Sequence, residues 1–389
     1  MSVLPPELLD VIICEIDDTQ TLKACSLVAS TLRSSSQRIL LDSLTVDVYN
    51  DTTICKLLTE SPHVAEYVTR LNFRLRTLLP SSDRSFRQTL APLQNVRECF
   101  LDGSGYTYGA PRSRTRIPPG VLDFLGRQQL RDLRLKFIKI SVTVLLYFVK
   151  VIPTLYFDFV EIDNEADIAS DPTVLSPFPR KSALTSLSCI GKDVGQFLAR
   201  AQNISCVAAL RHLSISSRDD DGWVGALIEA ASRTLETVEF DCSRYPPPPA
   251  LPRLPALQSV EFTFSGQLLP AARADIISRT ATILQALAVP QASPALAKLV
   301  FKQKLFPNDG TSLDPVQYFP LTTMLDDALA AYPTAPRIHW ILTKTNNDDT
   351  QFMHFADSVR SGMPQALSTG RLVLEAYLSP GVRGNEFRI

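Results

Sequence analysis

Catalysis has few of its usual materials in this sequence. Only four histidines occur, His63, His212, His339 and His354, and there is no G-x-S-x-G elbow. A hydrolase needs a histidine beside both a nucleophile and an orienting carboxylate, and no spacing here points to one. The Gly-Lys of CIGKDVG, from Cys189, lacks the upstream glycine and the following Ser or Thr of a phosphate loop. GSGYTYG, from Gly103, lacks the G-x-G-x-x-G frame, so both segments are read as turns. The seven cysteines (Cys14, Cys25, Cys55, Cys99, Cys189, Cys206 and Cys242) form no C-x-x-C pair and are odd in number, and most sit in apolar runs. That is the cysteine usage of a reducing compartment. No Cys/His cluster has metal-ligand spacing. The acidic groups Asp219-Asp220-Asp221, Asp326-Asp327 and Asp348-Asp349 lack the alternating oxygens and glycine of a calcium loop. They are expected at helix starts or in loops, capping or solvated. No metal, cofactor or enzymatic activity is expected.

Net charge is also nearly missing. Lys and Arg total 39 against 40 Asp and Glu, a formal balance of −1, so no whole-molecule field draws in nucleic acid or membrane. Long apolar runs are absent too. Residues 140–149 are uncharged but too few to cross a bilayer, and residues 280–297 are interrupted by Pro290 and Pro294. The opening residues carry no positive n-region, so no signal peptide is expected. With 45% hydrophobic and 20% charged residues, the 389-residue chain has the composition of a folded soluble protein. It is expected in the cytoplasm or nucleus.

Structure begins at once. LPPELLDVIICEIDD reads as a short helix: Pro5 and Pro6 suit a first turn, and Leu8, Ile12 and Ile16 share one stripe beside Leu9 and Ile13. Asp17-Asp18-Thr19 supplies caps for a second helix, TQTLKACSLVAS, with Leu22, Cys25, Leu27 and Val28 apolar. A third, TLRSSSQRILLDSL, has Leu32, Ile39, Leu40 and Leu44. Three such helices in about 40 residues cannot bury their apolar surface alone.

These residues resemble the F-box in the form common in fungal proteins. The matching positions are Leu4, Pro5, Glu7, Leu8, Ile12, Ile13, Ile16, Thr21, Leu22, Ala24, Cys25, Ser26, Leu27, Val28, Ile39 and Leu40. The chain departs from the family at Leu32, where Trp or Phe is common, and at Ala29-Ser30, where Cys-Arg is common. The resemblance implies docking on a Skp-type linker subunit, and through it a cullin-based ubiquitin ligase. Docking would use Leu4, Pro5, Leu8, Ile12, Ile13, Ile16, Leu22, Leu27 and Val28. Without the resemblance, residues 1–45 read as a cap closing the end of a repeat array.

Beyond them one pattern recurs, apolar-x-x-apolar-x-apolar. Its central residues are Leu71, Cys99, Leu133, Leu155, Leu187, Leu213, Val238, Val260, Leu299 and Ile338, spaced 28, 34, 22, 32, 26, 25, 22, 39 and 39 apart. The shorter spacings fit a leucine-rich-repeat unit of one strand and one return helix. The L-x-L pair should face the core and the intervening residues outward. Return helices are expected from Cys55, Gly222 and Arg273. The expected fold is α/β: a three-helix F-box-like module (1–45) followed by an irregular leucine-rich-repeat-like solenoid of parallel strands with return helices (46–389). Residues 305–389 are its least regular part. A mixed α/β domain of other topology is the alternative.

Charge is uneven locally. Residues 68–136 hold 13 basic against five acidic side chains, and residues 151–179 hold six acidic and no basic ones. If the array curves, its inner face should run from basic to acidic. Outward strand positions Arg70, Arg74, Arg134, Lys136, Asp158, Glu239, Asp241 and Glu261 are then candidates for gripping a protein target. PRSRTR, from Pro111, reads as an exposed loop. The leading expectation is a substrate-recognition adaptor for protein ubiquitination. The alternatives are a non-ligase interaction scaffold and a repeat protein that binds phosphate or nucleic acid through residues 68–136. No membrane contact is expected, and nucleic acid is the least favoured partner.

Overall fold

The computed structural model describes residues 5–47, 50–75, 82–104, 115–163, 183–216, 222–243, 245–265, 270–289, 291–304, 319–330, 336–344 and 349–378. The chain forms two compact units, Met1–Ala183 and Leu184–Ile389. Both are α/β, with parallel strands.

The first unit opens with helices α1 (Pro6–Cys14), α2 (Thr19–Val28) and α3 (Ser30–Leu40). Proline at the start of α1 costs nothing, because that N–H has no helical partner. Asp18 caps α2, its carboxylate accepting the Thr21 N–H at 2.7 Å. Strand β1 (Ser43–Asp47) follows directly. Leu44, expected in the third helix, therefore lies in a strand, where it pairs in register with Leu71. Leu41, Leu44 and Val46 in fact repeat the strand pattern of the later copies.

Next come α4 (Asp51–Glu60) and α5 (His63–Tyr67), then β2 (Arg70–Arg74), α6 (Ser82–Leu90) and β3 (Glu98–Asp102). They are followed by β4 (Thr115–Arg116), α7 (Pro119–Arg127), β5 (Asp132–Lys136), β6 (Ile138–Ser141), α8 (Val142–Val151), β7 (Thr154–Asp158) and β8 (Glu161–Asp163). The order β1-β2-β3-β5-β7 is parallel throughout, and β4-β6-β8 form a small second parallel sheet. Leu71, Cys99, Leu133 and Leu155 are register partners across this sheet. Phe73, Leu101, Leu135 and Phe157 form the second buried row. Both rows face the interior, as the period of two requires.

Chain direction changes sharply two residues after the second buried position. Gly191 takes φ 103° at that point in one strand, while Phe137 and Phe159 take φ 51° and 52° in two others. The two phenylalanines stack with ring centroids 5.4 Å apart. That contact helps hold a left-handed backbone unusual for bulky side chains.

The second unit repeats the plan with β9 (Ser186–Ile190), α9 (Asp193–Ala199), β10 (His212–Ser216), α10 (Trp223–Ala230), β11 (Thr237–Asp241) and β12 (Ser259–Ser265). It continues with α11 (Pro270–Leu287), β13 (Lys298–Lys304), α12 (Phe319–Ala330), β14 (Arg337–Lys344), α13 (Asp349–Gly362), α14 (Pro364–Ser368) and β15 (Leu372–Leu378). All seven strands are parallel and consecutive. Leu187, Leu213, Val238, Val260, Leu299 and Ile338 pair in register. Ile338 then pairs with Leu372, in a strand that lacks the leading apolar residue of the recurring pattern.

From β12 onward the strands lengthen from five to seven or eight residues, and α11 reaches 18. The wide spacings near the end are thus full repeats with longer parts. Their inner row is aromatic. Phe240, Phe262, Phe301 and Trp340 follow one another at 5.5, 5.7 and 4.9 Å between ring centroids, and Phe355 meets Trp340 edge-on at 6.1 Å.

Asp326 departs from the expected helix start or loop. It lies inside α12, 3% exposed, and its carboxylate accepts the N–H groups of Gln365 and Ala366 at 2.8 Å each. The charge therefore caps α14, whose first N–H groups would otherwise be buried without partners. Asp219-Asp220-Asp221 and Asp348 lie outside the described residues.

Candidate functional site

Two surfaces collect the residues singled out from the sequence, and the first is the opening helical module. α1 and α2 each pack on α3, and α3 in turn packs on α5. Ser35 donates its hydroxyl to Asp10 across the α1–α3 contact, and Arg33 Nε donates to the Ser26 carbonyl at 3.3 Å. This packing divides the apolar side chains. Ile13 (2% exposed) and Leu22 (4%) point into the module, and Ile16 is half-buried. These two buried side chains hold the helices together, so they offer no free surface to a docking partner. Leu8 (50%), Ile12 (51%), Leu27 (80%) and Val28 (82%) stay exposed, as does Val11, which the sequence comparison does not single out. Pro5 is exposed at the N-cap of α1, and Leu4 lies outside the described residues.

One helix of three turns has apolar side chains on nearly every side, so it cannot bury all of them against a single neighbour. The last turn of α2 presents Leu27 and Val28 side by side, just before Ala29 turns to extended backbone. Each would gain about 1.5–3 kcal/mol on full burial. An exposed apolar grouping of this kind marks an interaction surface more often than an isolated exposed leucine does.

The second surface is the outward row of the sheets. Arg70, Arg74, Arg134, Lys136 and Asp158 occupy half-buried outward positions of β2, β5 and β7, alternating with core residues. Glu239, Asp241 and Glu261 do the same in β11 and β12. Opposite charges, however, meet within and between these strands. Arg70 pairs with Asp42, Arg134 with Asp132 at 3.2 Å, Lys136 with Asp158 at 3.2 Å, and Glu261 with Lys302. Arg134 also lies over the Tyr156 ring, 4.5 Å from its centroid. Arg74 stands between Asp47 and Asp102 in the register, and Asp241 accepts the Ser243 N–H at 3.0 Å.

The expected run from a basic to an acidic face is therefore replaced by local pairing. The described part of the acidic stretch lies beside basic residues that precede it in sequence: Asp158 meets Lys136, Glu161 meets Lys139, and Asp163 meets Arg116. A parallel sheet sets residues about one repeat apart against each other, which a running count of charges does not reveal. Burial raises the Asp132 carboxyl above its usual range despite Arg134 beside it. Burial also raises Glu261, with Lys302 opposing.

Of PRSRTR, only Thr115 and Arg116 are described, and they form β4. CIGKDVG is the turn from β9 into α9, with Gly191 at its left-handed point. Residues 105–109 of GSGYTYG lie outside the described set. His212 opens β10, His339 lies in β14, and His63 begins α5. Cys99, Cys189 and Cys242 are buried, and burial pushes their thiols up, Cys189 to about 12, so they sit there as small apolar groups. Among the described residues no group of three or more His, Cys, Asp or Glu could hold a metal ion. No helix among them is long and apolar enough to cross a membrane. The sequence matches no family model and no curated protein.

Proposed function

We propose that the chain is an adaptor of the F-box kind. Its opening helices would dock a Skp-type linker subunit, and through it a cullin. The outward faces of its leucine-rich-repeat-like strands would hold a protein target for ubiquitination. The observation that carries the reading is the exposed apolar grouping of Leu8, Val11 and Ile12 on α1 and of Leu27 and Val28 on α2, while Ile13 and Leu22 are buried within the module. A helix cap that served only to close the sheet end would turn this grouping inward. The pairing of Arg70, Arg87, Arg134 and Lys136 with carboxylates speaks against the phosphate- or nucleic-acid-binding alternative at those positions.

The test is a pull-down from a eukaryotic extract, scored for Skp and cullin. The wild-type chain should retain both. Replacing Ile12, Leu27 and Val28 with Asp should release both while leaving the fold intact, because all three side chains are exposed. Leu22→Asp is a poor probe, since a buried charge would unfold the module itself. Retention of Skp without cullin would indicate the non-ligase scaffold. Retention of neither by the wild type would end the proposal.

A further inference from the structure

The outward row of the second unit changes character between β12 and β13. Glu261 on β12 has its cation in Lys302. One step away, Lys298 on β13 and Arg337 on β14 are direct register partners, both exposed. Adjacent strands are about 4.8 Å apart, so two full positive charges stand side by side. Neither forms a salt bridge among the described residues; Lys298 shares the field of Glu261, whose direct ion pair is with Lys302. Like charges directly opposite one another destabilise a sheet.

His339, two residues after Arg337 on β14, completes the grouping. The three side chains line one open depression whose remaining wall is the segment 294–297, just before β13. The groups facing His339 are Lys298 from β13, Arg337 from its own strand, and Glu375 from β15, whose Oε1 lies 4.0 Å from Nδ1. Burial, then Lys298 and Arg337, lower the imidazole's pKa, with Glu375 opposing. The site therefore holds two permanent cations and a third that appears only on acidification.

We propose that this depression binds a doubly charged oxyanion of the phosphate-monoester type, with Lys298 and Arg337 as its fixed ligands and His339 as a proton-dependent third. A single carboxylate carries one charge and two oxygens, and would leave one cation uncompensated. A tetrahedral dianion has charge for both and a third oxygen for the imidazole, and the guanidinium fork suits two of its oxygens. The same chemistry could come from a phosphorylated side chain of a bound protein or from a free phosphate compound. The inference goes beyond the adaptor reading and does not depend on α1 or α2.

Sulfate is the cleaner probe, because it stays dianionic while His339 titrates, whereas a phosphate monoester gains a proton near pH 6. The experiment follows the His339 imidazole by NMR across a pH titration of the full chain, in sulfate and in chloride of equal ionic strength. Sulfate should raise the His339 pKa, and by linkage its affinity should increase as pH falls. Lys298→Gln with Arg337→Gln should weaken sulfate binding about tenfold or more and abolish the sulfate-induced shift. Unchanged tryptophan fluorescence would show that the unit remains folded. Inorganic phosphate and a phosphoserine peptide, compared at pH 7.5, identify the source: tighter peptide binding points to a protein, equal binding to a free compound. Absence of a sulfate shift, or a shift that survives the double substitution, would overturn the proposal. So would an oligonucleotide, with singly charged diesters, binding more tightly than the phosphopeptide.

Discussion

Gln303 offers the sharpest test of the core. It faces inward on β13, 1% exposed, and among the described residues neither its amide oxygen nor its nitrogen has a hydrogen-bond partner. Its register neighbours are Phe264 on β12 and Leu342 on β14, both buried and apolar. Burying an amide without a partner costs about 1–3 kcal/mol on protein mutational scales. Methionine matches glutamine closely in length and has no such requirement. Gln303→Met should therefore stabilise the second unit by about 1–3 kcal/mol. For a unit of this size, each kcal/mol moves the melting midpoint by about 2–4 °C.

The assay is built into the chain. Its two tryptophans, Trp223 and Trp340, both lie in the second unit, so intrinsic fluorescence reports that unit's unfolding. Gln258→Met, at an exposed position, is the control and should shift stability by less than about 0.5 kcal/mol. A lower midpoint for Gln303→Met, with the control unmoved, would refute the reasoning, since the amide would then be satisfied in solution.

Four further outcomes follow from the same geometry. Asp326→Ala should cost about 2–4 kcal/mol, because two buried N–H groups at the start of α14 lose a charged acceptor; urea unfolding followed by fluorescence measures it. Gly195→Ala should destabilise by about 1–3 kcal/mol or more and shift tryptophan emission, since the new methyl would overlap the Trp223 ring. In a timed maleimide reaction on native protein, Cys14 should react quickly while Cys99, Cys189 and Cys242 stay protected until unfolding. The lowered pKa of His339 favours the neutral imidazole in the folded state. Its contribution is thus full above the unfolded value of 6.5 and lost as pH falls through the folded value. His339→Gln should remove that part of the acid-side decline in a stability–pH profile.

Strand register was legible because each copy carries two apolar residues one apart, and a one-residue slip would turn them to solvent. That is why Leu71 to Leu155 in the first unit, and Leu187 to Ile338 in the second, align as their order in the chain suggests. The first strand and the last described strand escaped for different reasons. Leu44 and Val46 carry the signal, but they adjoin Ile39 and Leu40 and read as more of the same helix. Leu372 and Leu374 have Thr369 where the leading apolar residue belongs. Charge was the least legible feature. Arg116 and Asp163, or Lys136 and Asp158, are distant in sequence and meet only because their strands lie side by side in parallel sheets. The docking candidates were readable as an apolar set. Which of them face inward depends on α3, and periodicity within α1 alone does not tell Ile13 from Ile12.

The most direct measurement is a calorimetric titration of the purified chain with a purified Skp-type subunit. Leu27 and Val28 each stand to gain about 1.5–3 kcal/mol on burial. The wild type should therefore bind, and Leu27→Asp with Val28→Asp should bind at least about a hundredfold more weakly. Equal affinity of the two, or no heat of binding from the wild type, would contradict an adaptor that docks through these helices.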